Sequence, residues 1–369
     1  MKKLFIILPL VSLLLTSCGI IKFNSGTKTN NAAPQQVGFY KTINRGDTWL
    51  SKSSIYTTGG KSQTFSGFNI TTMTTDPQDE NTLYLGTETK GILYSYNRGE
   101  GWMSTVPGSG VVNAIAVDPL DKCTIYSAIF NKIYKSTDCA RSWQQIHFST
   151  LAKETYITLA IDPTNGSQIY LGTSAGSLIV SSDAGFSWQA TKFFPSRISK
   201  IIVNPNKSNI IYLATLTSGI YRSEDTGQSW ENLNEREVSV INEEVSGQAR
   251  PLKDFKGSKS YLAMAFDSSQ PDGLLFSNNY GIFRLDLEGN WSEIMILNKP
   301  KEEKVISLAI NHANGQEIFF TTAGAYYFSL NGGVDWTVKN IPTVGSPTNL
   351  IVQSANSQEA YITFYQAKK

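Results

Sequence analysis

Two eight-residue stretches decide the fold: SSDAGFSW at residues 181–188 and SEDTGQSW at residues 223–230. Five related stretches keep Asp or Asn third and Trp last, and four of these also begin with Ser or Thr. The fifth, at residues 284–291, keeps only the Asp and the Trp in register, and we call all seven stretches boxes. The other five are TINRGDTW (42–49), SYNRGEGW (95–102), STDCARSW (136–143), RLDLEGNW (284–291) and SLNGGVDW (329–336). The last residues of the boxes account for all seven tryptophans of the chain, at intervals of 41 to 61 residues. A period of this length, with short strand-like runs between copies, predicts a four-stranded propeller blade.

The chemistry of each box is local. The third residue accepts hydrogen bonds from backbone N–H groups of the turn that follows. Glycine at the fifth position supplies a backbone conformation that a Cβ disfavours, and the tryptophan buries a large ring between neighbouring units. The sequence therefore assigns structural roles to Asn44, Trp49, Asn97, Trp102, Asp138, Trp143, Asp183, Trp188, Asp225, Trp230, Asp286, Trp291, Asn331 and Trp336.

The boxes resemble the Asp-box, S-x-D-x-G-x-T-W, of the BNR-repeat propellers, and this resemblance covers nearly the whole chain after residue 37. The Asp-Pro and Tyr-Leu-Gly-Thr phrases, as at residues 162–163 and 170–173, make the chain most similar to propellers of the photosystem II assembly-factor and sortilin types. The resemblance implies an all-β, single seven-bladed propeller. It does not by itself imply an activity, because glycosidases share the motif with receptors and assembly factors.

The strand pattern predicts how the ring closes. We label the strands of a blade A to D, with each box forming the C–D turn. Paired A–B runs are predicted at residues 70–87, 112–129, 157–173, 198–215, 262–278, 305–322 and 350–364. The last pair has no box after it, and the first box has no pair before it. We therefore expect the N-terminal C–D strands to pair with the C-terminal A–B strands in one blade, which removes exposed sheet edges.

The first residues are predicted to be a targeting segment. Residues 1–17 combine Lys2 and Lys3 with an apolar run, and Cys18 follows a small residue where cleavage is expected. This pattern is typical of a bacterial lipoprotein signal peptide, with lipid attached to Cys18. Residues 18–37 are interpreted as the lipidated Cys and a flexible tether, and residues 38–369 as the propeller. We expect an exported protein anchored to the outer face of the cytoplasmic membrane, or to the outer membrane or cell surface.

Two further cysteines, Cys123 and Cys139, follow the lipid-attachment residue. With strand B at residues 124–129 and strand C at 132–136, opposite residues of the hairpin have indices that sum to about 261. Cys123 and Cys139 therefore face each other within the error of the register. In an oxidising compartment this pairing predicts a disulfide that staples one blade, with two free buried thiols as the alternative.

Composition argues against several functional classes. The chain has 32 Lys and Arg against 30 Asp and Glu, and removal of Lys2 and Lys3 makes these counts equal, which gives no support for nucleic-acid binding. The only histidines, His147 and His312, are isolated, so we expect no metal site and no cofactor.

Two enzyme classes share the motif. A sialidase needs three converging arginines, but only Arg197, Arg236 and Arg250 lie clear of the boxes. A xyloglucanase-like glycosidase needs two facing carboxylates, whereas Asp76, Asp118 and Asp162 are explained by turns.

The remaining candidates lie on connecting loops. The B–C and D–A connections share one end of the propeller, here called the loop face, and the A–B turns and boxes share the other, the box face. The longest D–A connection follows Trp230 and is a candidate binding loop, with tolerated surface insertion as the alternative. Its charged residues are Glu235, Arg236, Glu243, Glu244, Arg250, Lys253 and Asp254. A second long connection, residues 50–68, is expected to place Tyr56 and Phe65 on the loop face.

The sequence thus favours a non-enzymatic, membrane-anchored, monomeric binding or assembly scaffold that presents a propeller face to a protein partner. The alternative is a carbohydrate-active protein, either a glycan-binding lectin or a glycoside hydrolase.

Overall fold

The computed structural model describes residues 36–57, 63–151, 153–236, 250–286, 289–296, 303–343 and 345–367. These residues form seven four-stranded antiparallel sheets arranged as the blades of a propeller, which confirms the predicted fold. Cys18, the tether up to residue 35, Glu243 and Glu244 lie outside the described residues.

The strands follow the predicted order A to D in every blade, and A is innermost. The chain begins with β1 (Phe39–Thr42), β2 (Leu50–Ser51), β3 (Ser54–Ile55) and β4 (Gln63–Thr64). Blade 1 contains β5 (Ile70–Asp76), β6 (Asp79–Thr87), β7 (Ile92–Ser95) and β8 (Met103–Thr105). Blade 2 contains β9 (Val112–Asp118), β10 (Asp121–Ile129), β11 (Lys132–Ser136) and β12 (Gln144–Phe148). Blade 3 contains β13 (Tyr156–Asp162), β14 (Asn165–Thr173), β15 (Ser177–Ser181) and β16 (Gln189–Phe193).

The later blades repeat this arrangement. Blade 4 contains β17 (Ile198–Val203), β18 (Ile211–Thr215), β19 (Ile220–Ser223) and β20 (Glu231–Asn232). A 3-10 helix (Leu252–Asp254) precedes blade 5, which contains β21 (Ala263–Asp267), β22 (Gly273–Ser277), β23 (Ile282–Leu285) and β24 (Trp291–Ile294). Blade 6 contains β25 (Ser307–Ile310), β26 (Ile318–Thr321), β27 (Ala325–Ser329) and β28 (Thr337–Asn340). The final strands are β29 (Ser346–Val352) and β30 (Ala360–Tyr365).

Blade 7 joins the two ends of the propeller. Its strand order is β2-β1-β30-β29, and β1 pairs with β30 from Phe39 opposite Thr363 to Thr42 opposite Ala360. The inner strands β5, β9, β13, β17, β21, β25 and β29 contact one another in cyclic order, so that β29 also contacts β5. The predicted closure by N-terminal C–D and C-terminal A–B strands is therefore confirmed.

The boxes make the predicted hydrogen bonds. In the box of blade 3, Asp183 accepts bonds from the Ser187 backbone N–H at 2.8 Å and from its hydroxyl at 2.6 Å. The hydroxyl of Ser181 donates to Asp183 and accepts the backbone N–H of Gly185. Gly185 has φ of +86°, a left-handed conformation that favours glycine. The same bonds recur around Asp225 in blade 4.

The box tryptophans lie against the preceding blade, as the sequence predicts. The ring of Trp188 stacks 5.5 Å from His147 of blade 2, and the ring of Trp49 meets Tyr326 of blade 6 at 5.4 Å. Trp102, Trp291 and Trp336 are buried, whereas the other four rings are only half-buried. The seven rings therefore differ in how completely the neighbouring blades cover them.

Small residues in the second strand allow neighbouring blades to approach. A Cβ on Gly172 of β14 would lie 2.5 Å from a methyl group of Ile198, the first residue of the next inner strand, and 2.8 Å from Thr158. Gly86 of β6 has the same relation to Val112. Close packing between sheets thus explains the glycine of the Tyr-Leu-Gly-Thr motif.

Cys123 and Cys139 form the predicted disulfide. The hairpin register pairs Ile125 with Ser136, which gives the index sum of 261. The disulfide lies beside Ala140, which replaces the box glycine yet keeps a φ of +68°. Non-glycine residues rarely adopt this conformation and do so at a cost in energy. The cross-link therefore sits within a box turn of blade 2 whose left-handed residues, Cys139 and Ala140, are not glycine.

A network of ion pairs lies where the ring closes. The ammonium group of Lys41 on β1 contacts Glu359, beside β30, at 2.9 Å and Glu100 of blade 1 at 2.9 Å. Lys41 and Glu359 are almost fully buried, whereas Glu100 is about half exposed. The hydroxyl of Tyr361 donates a 2.7 Å hydrogen bond to Glu359. The network thus connects the N-terminal strand, the C-terminal strand and the adjacent blade.

We expect the Cys123→Ala/Cys139→Ala variant to lose about 3 kcal/mol of unfolding free energy, because a disulfide closing a loop of roughly this size restricts the unfolded chain. Urea denaturation with and without reductant measures the loss, and wild-type protein in reductant should match the variant. Equal stability of oxidised wild type and variant would contradict the stapling role.

We expect Lys41→Met to lower the unfolding free energy by about 3 kcal/mol, because it leaves the buried Glu359 carboxylate without its main cationic partner. The matched control is Lys207→Met, which removes a pair with Asp272 that water reaches more freely and should cost less than about 1 kcal/mol. Equal losses in the two variants, measured by chemical denaturation, would show that the network does not stabilise the closure.

Candidate binding surface

The box face begins with seven equivalent A–B turns. In six of them an Asp or Asn at the end of strand A accepts the backbone N–H two residues later, at 2.8–3.0 Å. These residues are Asp76, Asp118, Asp162, Asn204, Asp267 and Asn311. Gln353 takes the equivalent place in blade 7 and donates to the Glu80 carbonyl oxygen of blade 1. The turn roles predicted for Asp76, Asp118 and Asp162 are confirmed.

Turn chemistry gathers acidic residues on the box face. In the A–B turns the structure describes Asp76, Asp79, Glu80, Asp118, Asp121, Asp162, Asp267, Asp272, Glu317 and Glu359. The described box residues add Asp47, Glu100, Asp138, Asp183, Glu224, Asp225, Asp286 and Asp335. The basic residues of the same segments are only Arg45, Arg98, Lys122, Arg141, Lys207 and Arg284 among those described. At the adjoining ends of the third strands, Lys41, Lys135 and Arg222 add positive charge, and Lys41 and Arg222 pair with four of these carboxylates. The box face nevertheless carries an excess of negative charge.

The box carboxylates are held in the ionised form. The hydroxyl and backbone N–H of Ser229 lower the pKa of Asp225 to about 2, and Ser142 lowers the pKa of Asp138 to about 2 in the same way. Hydrogen bonds from Ser187 likewise lower the pKa of Asp183. Because these bonds favour the charged form, the negative charge persists well below neutral pH.

Large apolar side chains stand exposed among these charges. Phe186, at the sixth position of the blade 3 box, is 92% exposed, and Val334, at the same position in blade 6, is 73% exposed. Leu120 in an A–B turn and Ile43 in the box of blade 7 are 60% and 56% exposed. An exposed phenylalanine within a charged surface is the kind of residue that anchors protein–protein interfaces.

The loop face has the opposite balance of charge. Its described basic residues, within the connections or at the adjoining strand ends, are Lys90, Lys132, Lys153, Lys192, Arg197, Lys200, Lys256, Lys259 and Lys304. The acidic ones are Glu88, Glu154, Glu235, Glu293 and Glu303. Lys200 lies on the innermost strand of blade 4, and the surrounding protein lowers its pKa by reducing hydration. The two faces thus differ in sign although the total charge is close to neutral.

The candidate binding loop is divided between structural and exposed parts. Arg250 exchanges two backbone hydrogen bonds of 2.9 Å with Trp291, so it extends the outer edge of blade 5 at its box end. Its guanidinium lies over the ring of the buried Phe255 at 4.2 Å. Arg236 pairs with Glu231 at 3.6 Å, next to Gly289. Glu235, Lys253 and Asp254 are exposed.

The second long connection does not lie where the sequence suggests. Phe65 is fully buried and packs its ring 5.6 Å from Trp102, and the Tyr56 backbone donates to the Trp102 carbonyl oxygen at 2.7 Å. The Tyr56 hydroxyl accepts a bond from Asn97 in the box of blade 1. The prediction of a shared loop-face position is wrong, because Tyr56 lies at the box of blade 1 and the Phe65 ring is buried between blades 7 and 1.

Three titratable groups of the loop face, Glu88, His147 and Glu154, are engaged in local structure. The buried Glu154 accepts a hydrogen bond from the Ser149 hydroxyl, and Glu88 accepts bonds from Asn69 and Tyr365. His147 stacks between Tyr156 and Trp188, and burial lowers its pKa.

Within the described ranges no cluster of three or more His, Cys, Asp or Glu could hold a metal ion. None of the helices described there is long and apolar enough to cross a membrane.

Comparison with known proteins agrees with this architecture. The family model described as sortilin, neurotensin receptor 3, matches residues 131–240, which extend from blade 2 to blade 4. No curated protein matches the chain.

Several solved structures share the fold. The Niastella koreensis GH74 enzyme is 15% identical with a TM-score of 0.64, over 88% of this chain and 53% of that one. The GH74 xyloglucanase from Xanthomonas campestris is 18% identical with a TM-score of 0.61, over 81% and 51%. YCF48 bound to D1 peptide is 16% identical with a TM-score of 0.60, over 82% and 94%. The chain thus spans about half the length of the two GH74 enzymes and nearly all of YCF48.

We expect Asp225→Asn to flatten the dependence of stability on acid. A carboxylate whose folded pKa is about 2, against about 3.9 in the unfolded chain, stabilises the fold above the unfolded pKa. That stabilisation is lost as pH falls towards the folded pKa. The difference between the urea midpoints at pH 5 and pH 2.5 should therefore be smaller in the variant than in the wild type. Ser229→Ala, which removes one donor, should give an intermediate result; identical acid sensitivity in all three proteins would refute this reasoning.

Proposed function

We propose that this protein is a non-enzymatic, membrane-anchored extracytoplasmic scaffold whose box face binds a protein partner. The observation that carries the proposal is the concentration of carboxylates on that face, together with the exposed Phe186. Such a surface fits a partner with a basic patch and an apolar cavity. Charge complementarity would speed association and select the partner, and the aromatic ring would supply a central anchor.

Rigidity of the box face supports a binding role. Its acidic side chains are positioned by hydrogen bonds within their own turns, as at Asp183 and Asp225. Such groups lose little conformational freedom when a partner binds, which favours affinity. The same bonds make these carboxylates poor candidates for proton transfer, because their pKa values are lowered and an acid catalyst needs a pKa near the working pH.

The charged insertion between blades 4 and 5 is a candidate rim of this surface. Arg236 and Arg250 reach the box end of blade 5 through Gly289 and Trp291. Lys253 and Asp254 of the same insertion are exposed, whereas the exposed Glu235 at its start is counted with the loop face. We include Glu243 and Glu244, which lie outside the described residues, in the same candidate loop.

Anchoring is the second part of the proposal and rests on the signal-peptide pattern before Cys18. In this proposal the lipid on Cys18 holds a monomeric propeller at the outer face of the cytoplasmic membrane, or at the outer membrane or cell surface. YCF48, which nearly matches this chain in extent, is described bound to a D1 peptide. That likeness supports a single propeller acting as a module for binding polypeptide.

Carbohydrate binding or hydrolysis is the second candidate, and the likeness to two GH74 enzymes favours it. A glycan array, followed by a hydrolysis assay on any sugar that binds, separates this candidate from the first. A strong sugar ligand without a protein partner would replace the scaffold proposal.

We expect Phe186→Ala to reduce the recovery of crosslinked partner from native membranes by about tenfold, as for loss of an interface anchor. The matched control is Phe193→Ala, which removes an exposed ring from the outer strand of blade 3, away from the box face. Added salt should weaken recovery of the wild-type complex, because exposed charges are screened. Recovery that is unchanged by Phe186→Ala and by salt would refute binding through the box face.

A further inference from the structure

The charge difference between the faces bears on how the anchored propeller is oriented. We propose that the loop face rests on an anionic lipid surface, so that the box face points away from the membrane. This inference rests on the proposed lipid anchor. Its occupant is the headgroup region of a bilayer that carries negatively charged lipids.

The point at which the chain enters the propeller supports this orientation. The backbone N–H of Gly67 donates to the carbonyl oxygen of Val37. The hydroxyl of Tyr40 donates to the backbone carbonyl oxygen of Gln36. The N–H of Gln366 donates to Asn69. The chain therefore enters and leaves the described propeller at the loop-face end of blade 7. A lipid attached upstream would pull on the molecule from this side.

Charge complementarity favours contact by the loop face. Lys153, Arg197, Lys256 and Lys259 are exposed there, and none of them forms an ion pair within the described residues. Basic side chains near an anionic leaflet are attracted over about a Debye length. The acidic box face would be repelled by the same surface. The two faces therefore act together to set one orientation.

Exposed apolar residues add to this contact. Five well-exposed apolar side chains lie in loop-face connections from blade 1 to blade 5. They are Val106, Phe130, Leu151, Leu216 and Tyr280. Phe130 has a left-handed φ of +53°, which bulky residues rarely adopt. The ammonium of Lys256 lies 4.5 Å from the ring centre of Tyr280. Aromatic and basic side chains are the groups that favour the polar–apolar boundary of a bilayer.

The tether alone does not impose this orientation. Residues 19–35 lie between Cys18 and Gln36, and a fully extended chain of this length spans about 60 Å. An attachment point at this distance does not by itself select the face that meets the membrane. Contact by the loop face must therefore come from the surface itself, which makes it sensitive to lipid charge and salt.

The test uses the full lipidated protein on vesicles of phosphatidylcholine, with and without phosphatidylglycerol. Lysines are acetylated briefly, and their labelling is measured by mass spectrometry. We expect Lys153, Lys256 and Lys259 to react about fivefold more slowly on anionic than on neutral vesicles at low salt, and the difference to vanish at high salt. Lys122 on the box face should react equally on both.

Charge-reversal variants check the cause. Lys256→Glu/Lys259→Glu should restore labelling of Lys153 on anionic vesicles, whereas the control Lys122→Glu should not. Equal labelling of the loop-face lysines on both vesicle types would overturn the inference, as would protection of Lys122. Protection that appears only when membrane proteins are added would assign the loop face to a protein instead. Loss of the protein from vesicles at high salt would instead show that the lipid anchor is missing, which overturns the anchoring part of the proposed function and this inference with it.

Discussion

Backbone pairing between β1 and β30 holds the rest of the structure in place. It joins residues more than 300 positions apart along the chain, from Phe39 opposite Thr363 to Thr42 opposite Ala360. Every other blade is made from consecutive strands, so the ring depends on this single long-range sheet. Lys41, which forms ion pairs with Glu359 and Glu100, lies on β1. Without closure, the outer edge of β30 and the open side of blade 1 would face solvent.

A structural requirement of the turns also creates the chemical character of the surface. Asp and Asn at the ends of strand A and in the boxes are needed to accept backbone N–H groups. Because all these turns lie at one end of the propeller, their charges accumulate there. Residues such as Asp183 and Asp225 therefore have a structural role and still contribute to the field that a partner would meet. The proposed function depends on this second consequence.

The sequence predicts the fold well because the repeat is local. Short sequence spacings predict the bounds of the strand pair Ile70 to Thr87 and the register of Cys123 with Cys139. The repeat pattern likewise predicts the closure at Phe39. The charged faces are not visible in this way, because A–B turns and B–C loops alternate along the chain every ten residues or so. A search for basic or acidic runs in the sequence therefore averages the charges of the two faces. Grouping charged residues by the type of connection in which they lie separates Asp121, in an A–B turn, from Lys132, beside a B–C loop. The burial of Phe65 depends on tertiary packing against Trp102, which no local pattern indicates.

Native-state hydrogen exchange tests the dependence of the ring on its closure most directly. If the propeller requires the pairing of β1 with β30, the amides of β1 should exchange only through global unfolding. Their exchange should then have the same free energy and denaturant dependence as the amides of β10 in blade 2. Exchange of β1 through a local opening, at clearly lower free energy while β10 stays protected, would contradict this account.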